Sequence, residues 1–574
     1  MVKVQFTKED ISIEVAEGDR LSECIRAAGL DLETPCNGLG LCGKCRVKAW
    51  GDLYPAEDLE SVFINAPDIR LACLARVKRD VWIELYSNVN QLKTINQGVA
   101  IEVEVDCSVK QVLLPPPERT AQAYLERLPY NPSSVDIYRK AGKLEQAGNQ
   151  QVYGVLIDDR LVDLGSKPGK ILGIAFDIGT TGISAYLLDL ATGAILYKRS
   201  CLNPQTQFGG DVLSRISYCL ENPQGMLQLQ EVIIGKLNSL VSDLIGTAEG
   251  VERVYQVVIA GNTTMLHFVL GVYPGSIAKS PYRSVFLELV ELKAREVGIL
   301  ICPEGRVTLL PSASGYVGAD ILAGLVATAF NKKDHSAVFL DIGTNGEIVA
   351  NLGGRLIATS TAAGPALEGM NISCGSRAEE GAIDTFFIDD ELELHFTTIG
   401  GATPPKGICG SGLIDITAAM VKHEIILASG RFNPNLDLGL KARVREKKFY
   451  LTEEIYISQR DIRQIQLAKG AIAAGVTLLL EEVGIPLEAI EEAVIAGAFG
   501  YHINPDSLLQ IGLLPKGFMG KITFVGNSSA EGARLALINQ GVMTEINELK
   551  NKIEVLELST NPRFQDYFVK ALGF

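Results

Sequence analysis

Two short stretches of this chain echo one another, and everything around them must accommodate the pair. The first reads Asp177-Ile-Gly-Thr-Thr-Gly182. The second reads Asp341-Ile-Gly-Thr-Asn-Gly346, with Glu347 after it. Residues 171–176 and 337–340 are apolar runs that lead into them, and further apolar runs follow. The pattern predicts strand, Gly-rich turn and strand, twice over. Gly179 and Gly343 let the backbone approach a ligand, because no Cβ intervenes. Successive turn amides, with Thr180, Thr181 and Thr344, can donate to phosphate oxygens. Asp177 and Asp341 suit a hydrated Mg²⁺, which takes one or two carboxylates plus phosphate oxygens. One such turn is common in hairpins; two in one chain point to a duplication. Val257-Val-Ile-Ala-Gly-Asn262 lies downstream of the first copy, and Val494-Ile-Ala-Gly-Ala-Phe-Gly500 downstream of the second. Both read as buried strands that end in a small-residue turn. Two related halves of this kind predict a cleft between them.

At 574 residues the chain has room for about three or four domains. A net charge of −15 argues against a bulk electrostatic fit to nucleic acid or anionic lipid. No apolar run is long enough for a membrane span. The first residues lack signal-peptide architecture, so the expected location is the cytoplasm. There, eleven cysteines do not imply disulfides.

Their spacing carries the information. Residues 2–6 and 11–15 alternate as a hairpin, and residues 20–29 read as a short helix that Gly29 can end. Then come Cys36, Cys42 and Cys45, and later Cys73, spaced C-x5-C-x2-C-x27-C. Glycines at 38, 40 and 43 let the loop wrap a ligand and turn amides toward sulfur. Plant-type [2Fe–2S] ferredoxins use C-x4-C-x2-C and a distant fourth cysteine. This loop has one more residue in its first gap. Zinc is the rival, since four cysteines also satisfy it. Zinc ribbons pair two C-x2-C knuckles, however, and only one is present. The hairpin–helix–cysteine-loop order also favours a β-grasp ferredoxin. Cys24 falls on the helix as a core residue. Lys44, Arg46 and Lys48 flank the loop and read either as a solvated face or as a docking surface.

Residues 88–170 read as a linker and a small spacer. Strand is expected at 99–105, a stop at Pro115-Pro-Pro117, a helix at 121–127, and a hairpin around Asp158-Asp159. The first of the repeated halves is expected over 171–334 and the second over 335–574. Asp211 could reach the metal or cap a helix, and His267 reads as a packing residue. Glu347 is a candidate to orient or deprotonate water, or to support the metal from behind. Gly410, Ser411 and Gly412 precede an apolar helical run, which suggests a helix N-terminus facing an anion. Gly526-Asn-Ser-Ser529 offers the same geometry. Cys374 and Cys409 stand isolated and read as non-catalytic.

The paired turns resemble the actin-like (ASKHA) ATPase superfamily. That resemblance implies phosphate and metal roles for residues 177–181 and 341–345, Asn345 included. It also places Gly497 and Gly500 near an adenosine. The full order adds a C-x5-C-x2-C ferredoxin, Ala363-Gly-Pro-Ala-Leu-Glu-Gly369, Gly407-Ile-Cys-Gly-Ser-Gly412 and Ala496-Gly-Ala-Phe-Gly500. In that order the chain is similar to the reductive activators of corrinoid proteins. The fold implied is an N-terminal β-grasp [2Fe–2S] ferredoxin (1–87), a small α+β spacer and a two-lobed α/β ATPase. The cofactors implied are a [2Fe–2S] cluster, ATP and Mg²⁺, with Asp177, Asp341 and Glu347 as the catalytic acids. The partners implied are a Co(II) corrinoid protein and an upstream low-potential electron donor, and a homodimer is compatible. Some members carry a C-terminal [4Fe–4S] cluster; here no cysteine follows Cys409. Rival readings are an activator of a 2-hydroxyacyl-CoA dehydratase, a small-molecule kinase with a regulatory cluster, and a redox-sensing binding module.

Overall fold

The computed structural model describes residues 2–8, 11–28, 30, 32, 40, 45–61, 66, 68–85, 99–117, 122–148, 151–246, 248–401, 403–436, 438–497, 503–558 and 561–574. The N-terminal hairpin pairs Val2–Phe6 with Ile11–Val15, antiparallel, and Val2–Phe6 pairs in parallel with Val77–Leu85 on its other side. Strands Arg46–Leu53 and Ile69–Leu71 complete a five-stranded mixed sheet. Helix Leu21–Ala27 lies on it and buries Leu21, Cys24 and Ile25. The strand residues that alternate inward, Val4, Phe6, Val47, Val81 and Ile83, meet those helix residues in one core. Burial pushes the Cys24 thiol up to about 12, as suits a packed, unreactive cysteine.

The spacer departs from expectation in three places. Residues 99–105 form no strand ladder. They run extended along the main body, where the Val99 amide donates to Val525, the Ile101 amide to Ala327 and the Asp106 amide to Ile538. Single bonds to three separate elements satisfy this backbone without a sheet partner. The helix expected at 121–127 is one 3₁₀ turn, Tyr124–Arg127. Helix Val135–Ala147 was not foreseen; Ser134 precedes it and Gly148 ends it at φ +80°. The hairpin is present, Val152–Ile157 with Arg160–Gly165, and Asp158 and Asp159 take φ +46° and +62° at its tip. With Val109–Leu114 and Asn131–Pro132 it makes a four-stranded sheet.

The rest of the chain holds two six-stranded sheets in which five strands follow the same order. In the first, Leu172–Ile178 pairs antiparallel with Gly182–Asp189, which pairs antiparallel with Ile195–Leu202. On its other side Leu172–Ile178 pairs in parallel with Val254–Gly261, and that strand with Arg306–Leu309. In the second, Ser336–Ile342 pairs with Gly346–Leu352, and Gly346–Leu352 with Arg355–Thr361, all antiparallel. Ser336–Ile342 then pairs in parallel with Glu492–Ala496, and that strand with Lys521–Gly526. The register repeats as well: Asp177 lies opposite Ala260, and Asp341 opposite Ala496. The duplication read in the motifs is therefore a duplication of fold.

Strict alternation lets the second sheet serve two cores. Ala337 and Phe339 face a core shared with the first lobe, while Val338, Leu340 and Ile342 face the second core. Helices Ala319–Ala327 and Ser528–Ile538 join the lobes in the shared core. They cross at small residues: a Cβ on Gly532 would lie 2.3 Å from the Ala323 carbonyl oxygen.

At the head of Glu492–Ala496, Glu492 accepts from Lys333 Nζ at 2.7 Å, Thr523 Oγ1 at 2.7 Å and His335 Nε2 at 3.2 Å. Burial alone would raise its pKa, but these partners outweigh it and hold the carboxyl down to about 2. A carboxyl held below its ordinary 4.5 stabilises the fold above that pH and loses the contribution as pH falls toward its folded value. Glu492→Gln should therefore lower stability to urea most at pH 7. The gap from wild type should narrow as pH falls below about 4; a constant gap would contradict this. Gly532→Ala should cost about 1–3 kcal/mol by overpacking the helix crossing, read as a shift in urea midpoint.

Candidate nucleotide cleft and cluster site

Both repeated turns open onto one cavity of about 200 Å³ between the lobes. Each turn closes on itself: the Gly179 amide donates to the Gly182 carbonyl at 2.9 Å, and the Gly343 amide to the Asn345 carbonyl at 2.9 Å. The turns touch across the cleft, with Thr181 Oγ1 and Thr344 Oγ1 3.2 Å apart. Asn262 Nδ2 steadies Thr180 Oγ1 at 3.0 Å. The cavity is smaller than the roughly 300–1,000 Å³ typical of small-molecule sites. A volume of this size suits a phosphate group and a hydrated ion rather than a whole nucleotide.

Carboxylates line this cavity: Asp177, Asp320, Asp341, Glu347 and Glu368. Asp177 accepts from Asn527 Nδ2 at 2.8 Å and from Ser529 Oγ at 2.7 Å. Those donors belong to the turn and helix start that follow Lys521–Gly526. Glu347 lies directly across the hairpin from Asp341, where the first lobe has Ser184 across from Asp177. Ser360 Oγ lies 3.4 Å from Glu347 Oε1. Glu368 reaches both turns: it accepts from Thr181, and Thr344 Oγ1 donates to it at 3.5 Å.

Burial raises the pKa values of all five acids, and neighbouring carboxylates add to it for Asp320, Asp341 and Glu347. Burial and then the charges of Asp341 and Asp177 push Asp320 up to about 8. Burial, Asp177 and Glu368 push Asp341 up to about 7. Burial, with Asp320 and Asp341 nearby, holds Glu347 well above the carboxylate range. Burial also raises Asp177 and Glu368. A cluster like this favours a cation. Among the described residues no group of three or more acidic, His or Cys side chains encloses a metal by itself. Arg377 adds a positive charge to the cavity wall, beside Glu368.

The other predicted residues fall as follows. Gly179, Thr180, Thr181, Gly343, Thr344, Asn345, Gly410 and Gly497 line the cavity. Ser411 does not reach it; its hydroxyl donates to the Asp384 carbonyl at 2.8 Å. Gly412 seats the helix Gly410–Lys422 against the Ile383 backbone, where a Cβ would meet oxygen at 2.3 Å. Gly497 takes φ +124° and abuts the Ile342 carbonyl, so a side chain there would be strained and crowded. Gly500 lies outside the described residues. Asp211 is a helix cap, accepting from the Ser214 amide at 2.8 Å. His267 is fully buried and stacks on Phe286 at 4.4 Å. Cys409 is buried, with Sγ 3.2 Å from the Ile383 carbonyl oxygen.

Asp320, Glu368, Asn527, Ser529 and Arg377 were not singled out individually from the sequence. Asp320 had a signal, being the one charge in the apolar stretch 316–330. Glu368 lies inside the Gly-rich segment Ala363-Gly-Pro-Ala-Leu-Glu-Gly369, which carries no role of its own in the sequence reading.

In the ferredoxin domain, Cys45 Sγ and Cys73 Sγ sit 3.2 Å apart, both buried. That is well beyond the ~2.05 Å of a disulfide and close enough for both sulfurs to serve one metal ion. Cys45 begins the strand Arg46–Leu53, and Cys73 follows Ile69–Leu71. Gly40, at φ +69°, packs on Leu74, where a Cβ would lie 2.5 Å from Cδ1. The pair thus fits half of a four-cysteine cluster. Cys36 and Cys42, with Gly38, Gly43 and Lys44, lie outside the described residues.

Comparison with known proteins covers the chain from end to end. Residues 4–78 match the 2Fe-2S iron-sulfur cluster binding domain, 172–333 the RACo middle region, and 335–574 the C-terminal domain of RACo, the ASKHA domain. The corrinoid activation enzyme RamQ of Eubacterium limosum is 31% identical, over 100% of this chain and 99% of that protein. The [Co(II) methylated amine-specific corrinoid protein] reductase of Methanosarcina barkeri is 27% identical, over 70% of this chain and 77% of its own length. A solved structure of a reductive activator for corrinoid, iron-sulfur protein superposes with a TM-score of 0.77 at 33% identity, covering 100% of this chain and 98% of that one. Among the described residues no helix is long and apolar enough to cross a membrane. With a cluster-binding ferredoxin domain joined to an ASKHA domain, the chain belongs to the RACo family of reductive activators of corrinoid proteins.

Proposed function

We propose that this protein uses MgATP to deliver one electron to the Co(II) corrinoid of a partner methyl-transfer protein, restoring Co(I). One observation carries the reading. A chain related over its whole length to a corrinoid activation enzyme brings two D-x-G-T turns against one carboxylate-lined cavity. Turn amides with Thr180, Thr181 and Thr344 would hold the phosphates. Asp177 and Asp341 would hold hydrated Mg²⁺ from opposite lobes, with Asp320 between them in charge. Glu347 or Glu368 would orient the attacking water, and their raised pKa values favour taking its proton.

Cys36, Cys42, Cys45 and Cys73 would hold the [2Fe–2S] cluster, which supplies a single electron at about −400 mV if plant-type. Co(II)/Co(I) in a protein lies lower, and each ~59 mV uphill makes one-electron transfer roughly tenfold less favourable. Nucleotide-dependent closure of the lobes offers the missing bias. Moving a two-state equilibrium from 1:99 to 99:1 takes about 5.5 kcal/mol of differential binding. The corrinoid belongs to the partner, and the reductant upstream is a low-potential donor in the cytoplasm.

Asp177→Ala and Asp341→Ala should each cut ATP hydrolysis by about 100-fold or more while the visible spectrum of the cluster stays intact. Wild-type turnover in either variant would remove that residue from the metal site. Cys45→Ala and Cys73→Ala should lose the cluster absorption and retain nucleotide binding. An unchanged spectrum in either would strike that cysteine from the ligand set.

A further inference from the structure

The first phosphate turn is braced from behind by residues 203–211, and the far side of that segment receives the ferredoxin domain. On the inner side, Asn203 Nδ2 donates to the Gly179 carbonyl at 2.9 Å, and the Asn203 amide to the Thr181 carbonyl at 2.9 Å. Arg215 reaches back from helix Val212–Glu221, fully buried. Its Nη2 donates to the Thr180 carbonyl at 2.5 Å, its Nε to the Gly209 carbonyl at 2.9 Å, and its Nη1 to Gln205 Oε1 at 3.3 Å. On the outer side, Arg26 of the ferredoxin helix donates from Nε to Gln207 Oε1 at 3.1 Å and from Nη2 to the Gln207 carbonyl at 3.2 Å. Its guanidinium lies 5.2 Å from the centre of the Phe208 ring. Leu30, just before the cysteine loop, shares a groove with Pro204 and Phe208.

We propose that segment 203–211 is the joint through which nucleotide at the first turn and seating of the ferredoxin domain control one another. Arg215 acts as its positioning residue and Arg26 as the ferredoxin's contact. Arg215 is a buried charge whose guanidinium donates to neutral acceptors: carbonyls, a side-chain amide and the Met265 sulfur. Breaking any of them leaves a buried charge poorly solvated. A shift of the Thr180 carbonyl must therefore be followed by Gly209 and Gln205, in an interior too dense to absorb it. Gln207 and Phe208 lie between those two residues and carry the dock. Among the described residues the outer hydrogen bonds come from one exposed guanidinium, with Leu30 beside it, so the contact can release and re-form, as contacts between domains commonly do. Coupling of this kind is reciprocal in binding free energy: whatever nucleotide does to the dock, the dock does to nucleotide affinity. The inference rests on the nucleotide reading of the cleft.

The test is calorimetric titration of the full-length, cluster-loaded protein with MgADP, which needs neither turnover nor corrinoid. Arg26→Glu should weaken MgADP binding about fivefold or more, and Gln207→Ala should shift it in the same direction. Lys3→Glu, the same charge change at an exposed position elsewhere on the ferredoxin, should stay within about twofold of wild type. In an Arg215→Lys background, Arg26→Glu should add nothing further, because the bracket is already broken. The Arg26 and Gln207 variants decide the matter even where Arg215→Lys does not fold. Wild-type affinity in both would overturn the coupling with the nucleotide reading intact. Failure of the wild-type protein to bind MgADP would overturn that reading and the coupling with it.

Discussion

The contact between Thr181 and Thr344 is the point on which the two-lobed half of the molecule turns. Two hydroxyls from opposite lobes meet at 3.2 Å, so each turn must be presented at the same height by its own sheet. The matched registers do this, setting Asp177 against Ala260 and Asp341 against Ala496. Helices Ala319–Ala327 and Ser528–Ile538 then hold the lobes together at a crossing where only glycine fits. The second of these helices also delivers Ser529 to Asp177. The element that joins the lobes is thus the element that orients a metal-type carboxylate. Any change in lobe angle must be felt at Asp177.

Electrostatics makes the same cleft a place that waits for charge. Several carboxylates share one cavity, and burial, followed by the repulsion of neighbouring acids, lifts Asp320 and Asp341 to about 8 and 7. A cation and phosphates together satisfy that wall better than protons do, because the cation neutralises several acids at once. Behind the first turn sits the opposite case. Burial lowers the pKa of Arg215 to about 9, but the group keeps its charge at neutral pH. A positive charge thus lies behind the first turn, and acids line the cavity in front of it.

Much of this was legible in the chain. The turns, the ferredoxin hairpin and the hairpin at Asp158-Asp159 each follow a local rule, and each is present among the described residues; of the four spaced cysteines, Cys45 and Cys73 are described. What was not legible depends on tertiary placement. Glu368 sits in a turn-like segment, and only folding carries it between Thr181 and Thr344. Arg215 reads as an ordinary helix residue in Val-Leu-Ser-Arg-Ile-Ser, and nothing local says that it will be buried. Residues 99–105 have strand-like character but find their hydrogen bonds one at a time on Val525, Ala327 and Ile538. Helix Val135–Ala147 was overlooked because its composition is polar, although Ser134 and Gly148 mark its ends.

The account joins a one-electron donor to a nucleotide-gated cleft, and its central claim is that MgATP drives the electron uphill onto cobalt. The most direct measurement is anaerobic. The iron-reconstituted protein, a low-potential reductant and a Co(II) corrinoid protein from the same cell are mixed, and the Co(I) absorbance band is followed with and without MgATP. The band should grow only when MgATP is present. Equal growth without MgATP, or none with it against every corrinoid protein of that cell despite an intact cluster spectrum and ATP turnover, would contradict the account.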